Sequence, residues 1–376
     1  MAGLYLHIPF CKQACHYCDF HFSTSRKNQG AMVTALAREM VLRRDELAQE
    51  TIETIYFGGG TPSVLSTDEI RYLLDSVYKN FTVSQDPEIT LEANPDDLSI
   101  DRIRELRQTR INRLSIGIQS FFDDDLKSMN RAHNASQAKE SLAEAVRHFD
   151  NISIDLIYGM PGMSDQKWRQ NIEIALSFDI PHISSYALTV EPRTALHKMV
   201  RAGQVASPSD EMAAAHFQIL VETLSHNGFI HYELSNFGKP GYFSRNNSAY
   251  WLRKSYLGIG PSAHSYDGVS RSWNAASNSL YLKAISRDEL PREMEILTAT
   301  DRYNEAVMTG LRTMWGVSPD QIEADFGSQY AQHLLRESTK MIADGLLVID
   351  NQALKTTAKG KFLADGLASD LFWIDS

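Results

Sequence analysis

The sequence predicts an α/β fold, an open and incomplete (β/α)6 barrel followed by a small C-terminal helical, winged-helix-like domain. Three observations lead there. From residue 3 to about 190, short β-rich runs alternate with longer helical patterns, the mark of repeated βα units on a parallel sheet. Those strands are apolar on one face and polar on the other, whereas a closed barrel fills its interior with branched aliphatics. Beyond about residue 290 the texture becomes helices followed by a short hairpin.

The six strands are expected at Leu4–Ile8, Thr54–Phe57, Glu88–Asn94, Arg113–Gln119, Ile152–Tyr158 and His182–Leu188. Helical segments include 31–49, 68–80, 135–148 and 165–177, the second opened by the capping box Ser66-Thr67-Asp68-Glu69. Read with period two, Tyr5 and His7 oppose Leu4, Leu6 and Ile8. Thr90, Glu92 and Asn94 oppose Ile89, Leu91 and Ala93; Ser115, Gly117 and Gln119 oppose Leu114, Ile116 and Ile118; Ser153 and Asp155 oppose Ile152, Ile154 and Leu156. Apolar faces meeting outer helices and polar faces lining a lumen for a polar ligand account for this pattern. A one-sided sheet facing water is the alternative.

Further along, Ser207-Pro208 is expected to open a helix as N-cap and first turn. The stretch from Gly238 to Gly268, rich in Gly, Ser, Asn and aromatics, reads as extended, ligand-contacting chain. The tail shows a helix around Asn304–Met314, a capped helix at Ser318-Pro319-Asp320-Gln321, a helix over 329–344 and a hairpin Leu346–Ile349/Ala353–Thr356. The division expected is 1–235, 236–289 and 290–376.

With 376 residues, 43% hydrophobic and 22% charged, the chain can bury a substantial core. No apolar run approaches the roughly 20 residues that span a bilayer, and the first residues lack a signal peptide's regions, so a cytoplasmic location is the default expectation. A net charge of −10 gives no electrostatic case for nucleic acid.

The only three cysteines fall within "CKQACHYCDF": Cys11, Cys15 and Cys18, just after the first strand. Clustered thiols in a reducing compartment point to a metal or redox site rather than a disulfide framework. Three thiolates on a four-iron cluster leave one iron open to chelate a small molecule. Zinc is the competing reading, with His7, His16 or His21 as fourth ligand, although structural zinc usually joins ligand pairs from two distant loops and here all candidates share one. The glycine run Gly58-Gly59-Gly60-Thr61-Pro62 lets backbone approach a ligand closely, and it lacks the following Gly-Lys-Ser/Thr of a phosphate loop.

Cys-x3-Cys-x2-Cys with an aromatic, Tyr17, before the last cysteine resembles the signature of radical S-adenosylmethionine proteins. The resemblance implies a [4Fe-4S] cluster on the three cysteines and S-adenosylmethionine on its open iron. It implies cofactor contacts from Tyr5, Tyr17, Gly59, Gly60, Thr61, Glu92 in "LEANP", Gln119 in "GIQS", Arg131 in "MNRAH" and Asp155 in "IDLIYGMPG".

"YLHIPFC", "GGGTPS", "LEANP", "GIQSF", "DLIYGMPG", "GIGPSAHS" and "GLRTMWGV" together resemble the oxygen-independent coproporphyrinogen III oxidase group across nearly the whole chain. The oxidases of that group carry a further cysteine two residues after the third and an extra N-terminal segment; here the position is Phe20 and the first strand starts at residue 3. Both departures resemble the group's HemW-like heme chaperones, which implies heme as cargo for respiratory heme proteins, at times beside the inner membrane. A homodimer is compatible with this. An oxidase-like enzyme acting on a tetrapyrrole is the alternative, since the cofactor set looks complete. The chaperones' His-Asn-x-x-Tyr-Trp becomes Asn246-Asn247-Ser248-Ala249-Tyr250-Trp251, so Asn246 replaces the natural iron ligand. His231 and His264 are candidate substitutes, and Tyr250 and Trp251 either stack on a macrocycle or anchor the tail.

Overall fold

The computed structural model describes residues 2–374. Six parallel strands run in sequence order across the sheet: β1 (Ala2–Ile8), β2 (Ile52–Gly59), β3 (Val83–Ala93), β4 (Arg113–Gln119), β5 (Asn151–Tyr158) and β6 (His182–Ala187). Past β6 the sheet gains β8 (Asn236–Gly238) and then β7 (Ile230–Glu233), both in antiparallel pairings. On the other side β9 (Tyr256–Ile259) pairs parallel with β1, and β10 (His264–Tyr266), β11 (Ser270–Asn274) and β12 (Arg292–Ile296) follow antiparallel. The result is one 12-stranded arc with β12 and β7 at its two free ends. The glycine-rich stretch read as extended chain thus becomes helix Arg245–Trp251 and strands β9 and β10, which widen the sheet.

The period-two alternation explains the layering. Leu4, Leu6, Ile55, Phe57, Leu91, Leu114, Ile116 and Ile154 are fully buried outward against helices that contribute Leu36, Met40, Ile70, Leu73, Ile103 and Leu142. Each such side chain contributes about 1.5–3 kcal/mol of burial free energy. Helix Thr67–Asn80 carries the expected capping box between Ser66 and Glu69. The first long helix ends earlier than expected, at Leu42, where Arg43 turns inward to bond Glu39, Glu46, Gly258 O and Ser265. The helix expected to open at Ser207-Pro208 spans Asp210–His226 instead, because Ser209 is the residue whose side chain accepts from Met212 N. The tail packs around Tyr303, Val307, Leu311, Leu334 and Leu354, with helices Ala299–Leu311, Pro319–Phe326 and Ser328–Ala343 and a hairpin, β13 (Leu347–Asp350) and β14 (Ala353–Thr356). Among the described residues no helix is long and apolar enough to cross a membrane.

Candidate functional site

β1 delivers the chain to Pro9, and residues 11–23 leave and return as one loop: Cys11 N donates to Ser23 O and Ser23 N to Pro9 O. A turn at 128–131 holds this loop in place. His16 N donates to Met129 O, the His16 ring bonds Ser128 O, Gln13 donates to Asn130, and Asn130, in the left-handed region at φ 56°, donates back to Ala14 O.

Arg131, leaving that turn, joins three elements. Its Nη1 lies 3.3 Å from Cys15 Sγ, and its Nη2 donates to Asn94 Oδ1 at 2.7 Å and Gly117 O at 2.8 Å. A Cβ on Gly117 would sit 3.1 Å from that Nη2, so glycine lets the guanidinium lie across β4. Although burial opposes its charge, the neighbouring Tyr17 and Cys15 hold Arg131 protonated. Thr61 Oγ1 donates to Cys11 Sγ at 3.4 Å and itself accepts from Asn94. Burial pushes the Cys18 thiol up to about 11 and the Cys11 thiol above its ordinary value, so both are thiols until a metal displaces the proton.

The glycine run has a packing reason as well. A Cβ on Gly60 would lie 2.6 Å from Phe10 O, and Gly59, at φ 105°, faces the His7 ring at 2.6 Å. The run is thus fitted to the exit of β1 and so fixes the cysteine loop against β2.

These elements enclose a cavity of about 550 Å³. Cys11, Cys15, Cys18, Tyr17, Gly59, Gly60, Thr61, Glu92, Gln119, Arg131 and Asp155 all line it. Asn94, Gly117, Tyr186, Leu188 and Glu191 line it too and were not singled out from sequence, although Asn94 and Gly117 share the polar faces that alternation marks. Gln119 ends β4 in the left-handed region, φ 67°, after a break in register against β5 that turns it toward the cavity.

Glu92 and Asp155 face the cavity from deep in the barrel. Burial raises Glu92 to about 7, against the hydrogen bond it accepts from Tyr56 at 2.8 Å, and raises Asp155 to about 6. Arg131 and Arg113 act on Asp155 and oppose that rise in part. Tyr56 was missed as a site residue; it shares the lumen face of β2 with Thr54 and Gly58.

Tyr5 does not line the cavity. It lies beneath Gly58, with its ring on Tyr56 and its hydroxyl on His7 Nδ1. His7 and His21, offered above as zinc ligands, are engaged with His21 O and Asn278 Oδ1 respectively, and His16 with Ser128 O. Among the described residues no three His, Cys, Asp or Glu side chains converge to hold a single metal ion.

The residues suggested for heme lie elsewhere. Asn246 is buried at the opposite end of the strands, its Oδ1 accepting from Thr54 and its backbone N–H donating to Glu88. Tyr250 packs edge-on to Tyr256 there, and Trp251 sits under the Arg312 guanidinium at 5.6 Å, which ties the tail to the barrel rather than leaving the indole free. His231 has both ring nitrogens engaged, by Leu234 O and Lys361 Nζ. His264 alone is exposed, and no hydrogen bond to it is found among the described residues.

The donor set fits the groups it would hold. Three thiols facing one cavity, with N–H and O–H donors on two sulfurs, suit an iron–sulfur cluster. Two buried carboxyls whose ionisation burial opposes suit a ligand bearing positive charge. A partial barrel with three cysteines at the exit of β1 and two buried carboxyls across the lumen is the arrangement of a radical S-adenosylmethionine protein.

Residues 5–175 match the model of the radical SAM superfamily and residues 297–363 that of the HemN C-terminal domain. A heme chaperone HemW of Bacillus subtilis is 34% identical over 97% of this chain and 97% of its own, and one of Mycobacterium tuberculosis 35% over 98% and 94%. A mitochondrial radical S-adenosyl methionine domain-containing protein 1 of Mus musculus is 32% identical over 97% and 86%. The structure of coproporphyrinogen III oxidase (HemN) from Escherichia coli superposes with a TM-score of 0.85 at 24% identity, covering 99% of this chain and 90% of that one. The chain belongs to the HemW family of radical SAM proteins.

Proposed function

We propose that this chain is a heme chaperone that holds a [4Fe-4S] cluster on Cys11, Cys15 and Cys18 and S-adenosylmethionine in the adjoining cavity, and passes heme to respiratory heme proteins. The observation that carries this reading is the full-length similarity to HemW heme chaperones. Phe20 supports it: where the resembling oxidases carry a cysteine, this side chain is 70% exposed at the cavity mouth. Thr61 and Arg131 would hold Cys11 and Cys15 in their ligating state by donating to sulfur, and Glu92 and Asp155 would meet the cofactor's positive charge. Bound there, the cluster supplies an open iron that S-adenosylmethionine chelates. In the same reading the chain divides at about residues 235 and 289, works in the cytoplasm or at the inner membrane's surface, and is compatible with a homodimer.

An oxidase-like enzyme acting on a tetrapyrrole is the second reading, favoured by the complete set of cavity residues. Anaerobic reconstitution with iron and sulfide, heme titration with and without S-adenosylmethionine, and a coproporphyrinogen turnover assay on one sample separate the two. One heme per chain without turnover is the expected result; turnover without heme binding would overturn it.

A further inference from the structure

Arg113 opens β4 at the floor of the lumen and is 2% exposed, yet no carboxylate among the described residues forms a salt bridge with it. Asn151 accepts from its Nη1, while its Nε finds no partner in the chain. A cation this deep is costly unless nearby charge or water compensates it.

The guanidinium borders an enclosed cavity of about 60 Å³. Ser115, Ser153 and Ser184 bring hydroxyls to it from three adjacent strands, and Glu92 and Asp155 line both this cavity and the main one. The two carboxyls therefore stand at the junction. A water needs about 10–15 Å³ of such space and two to four polar partners, so a cavity walled by hydroxyl, amide and charged groups has room for a few. Arg113 does not line the main cavity, so it reaches a molecule bound there only through the carboxyls.

We infer that Arg113 is a positioning residue: through waters held in the floor cavity, its guanidinium keeps Asp155, and with it Glu92, ionised to meet the cofactor's positive charge. The inference rests on the S-adenosylmethionine reading above. Burial opposes the charge of both carboxyls, and Asp155 raises Glu92 further by like charge. Arg131 and Arg113 act the other way on Asp155. The two arginines differ in their ties. Arg131 is committed to Cys15, Asn94 and Gly117 O, whereas Arg113 keeps a free N–H. Glu92 on β3, Tyr56 on β2 and Tyr186 on β6 are the other titratable groups at the floor cavity. Burial holds both phenols protonated well beyond neutral pH, so of these only Glu92 titrates alongside Asp155.

The test follows the carboxyl C=O stretch of the full chain against pH by infrared difference spectroscopy, the Asp155 band being the one lost in Asp155→Asn. In parallel, equilibrium dialysis measures S-adenosylmethionine affinity of the reconstituted chain. In the parent, Asp155 should deprotonate at about pH 6. Arg113→Gln removes the charge and keeps a donor for Asn151; it should raise that midpoint by about one pH unit, weakening S-adenosylmethionine about fivefold at pH 6 and little at pH 8. Arg113→Lys, which keeps the charge, should restore both. Ser115→Val leaves the arginine in place and displaces water from the cavity, so it reports in the same sense if Arg113→Gln does not fold. A midpoint that stays within about 0.2 units in Arg113→Gln, or in Ser115→Val where that variant must serve, overturns the inference and leaves the cofactor reading standing. A parent chain that binds no S-adenosylmethionine while the midpoint still moves overturns the cofactor reading and leaves the hold of Arg113 on Asp155.

Discussion

The two ends of the same six strands treat their polar side chains in opposite ways. Toward the C-terminal rim, Cys11, Glu92, Gln119, Arg131 and Asp155 converge on an open cavity, where burial keeps both carboxyls raised. At the floor, most groups find partners within the chain: His182 is bonded between Ser153 and Tyr232, Arg113 donates to Asn151 through Nη1, and Glu88 accepts from the N–H groups of Arg245 and Asn246 at the start of a plugging helix. A small polar cavity of about 60 Å³, lined by Glu92, Arg113, Asp155 and Ser244 among others, separates the two. An identical alternation thus builds a stable plug at one end and a binding site at the other; the difference lies in whether partners come from the chain.

The comparison can be broken most severely at the rim. Cys15→Ala should reduce iron bound after reconstitution to background, with far-ultraviolet circular dichroism unchanged; retention of a full cluster would show that Cys15 is not a ligand. At the floor, Glu88→Ala orphans two helix N–H groups and should cost about 2–3 kcal/mol in urea unfolding while sparing ligand affinity at the rim.

Glu92→Gln should do the reverse: S-adenosylmethionine affinity by equilibrium dialysis falls about tenfold, and the empty protein gains about 1 kcal/mol at pH 8. The sign follows from the raised pKa. A carboxyl at about 7 in the folded chain and lower when unfolded contributes stability that is present at low pH and lost as pH rises through 7. Asp155, raised to about 6, and Glu233, raised to about 7, act in the same sense, so the empty chain should melt at a lower temperature at pH 8 than at pH 5. Glu92→Gln should flatten part of that slope. The smallest effect is expected from Thr54→Val, which removes only the donor to Asn246 and should cost about 1 kcal/mol in thermal unfolding.

Much of this was legible in the sequence, for stated reasons. Period-two alternation identified the lumen because each strand in β1 and β3–β5 is buried on both faces yet polar on one. The cysteine loop was legible because three thiols in eight positions have few uses. What alternation could not supply was depth along the strand. Tyr5 on β1 and Glu92 on β3 share the lumen face, yet only Glu92 reaches the cavity, because Tyr5 sits under Gly58. Asn246 looked like a ligand position because its motif is read along the chain, while its place at the floor is set by Thr54 and Glu88, which lie over 150 residues away in sequence. The helical tendency of 245–251 was hidden by its polar, short composition; only Ser244 as a cap marked it.

The sheet's two free ends have a consequence for size. A closed barrel has its bore dictated by strand number and stagger, and nothing placed inside can change it. An arc ending at β12 and β7 carries no such constraint, so its radius follows from what wedges it. Helix Arg245–Trp251 fills the floor end, held by Glu88 and Thr54. One end of the open arc is thereby stopped by a seven-residue helix that contributes no strand to it.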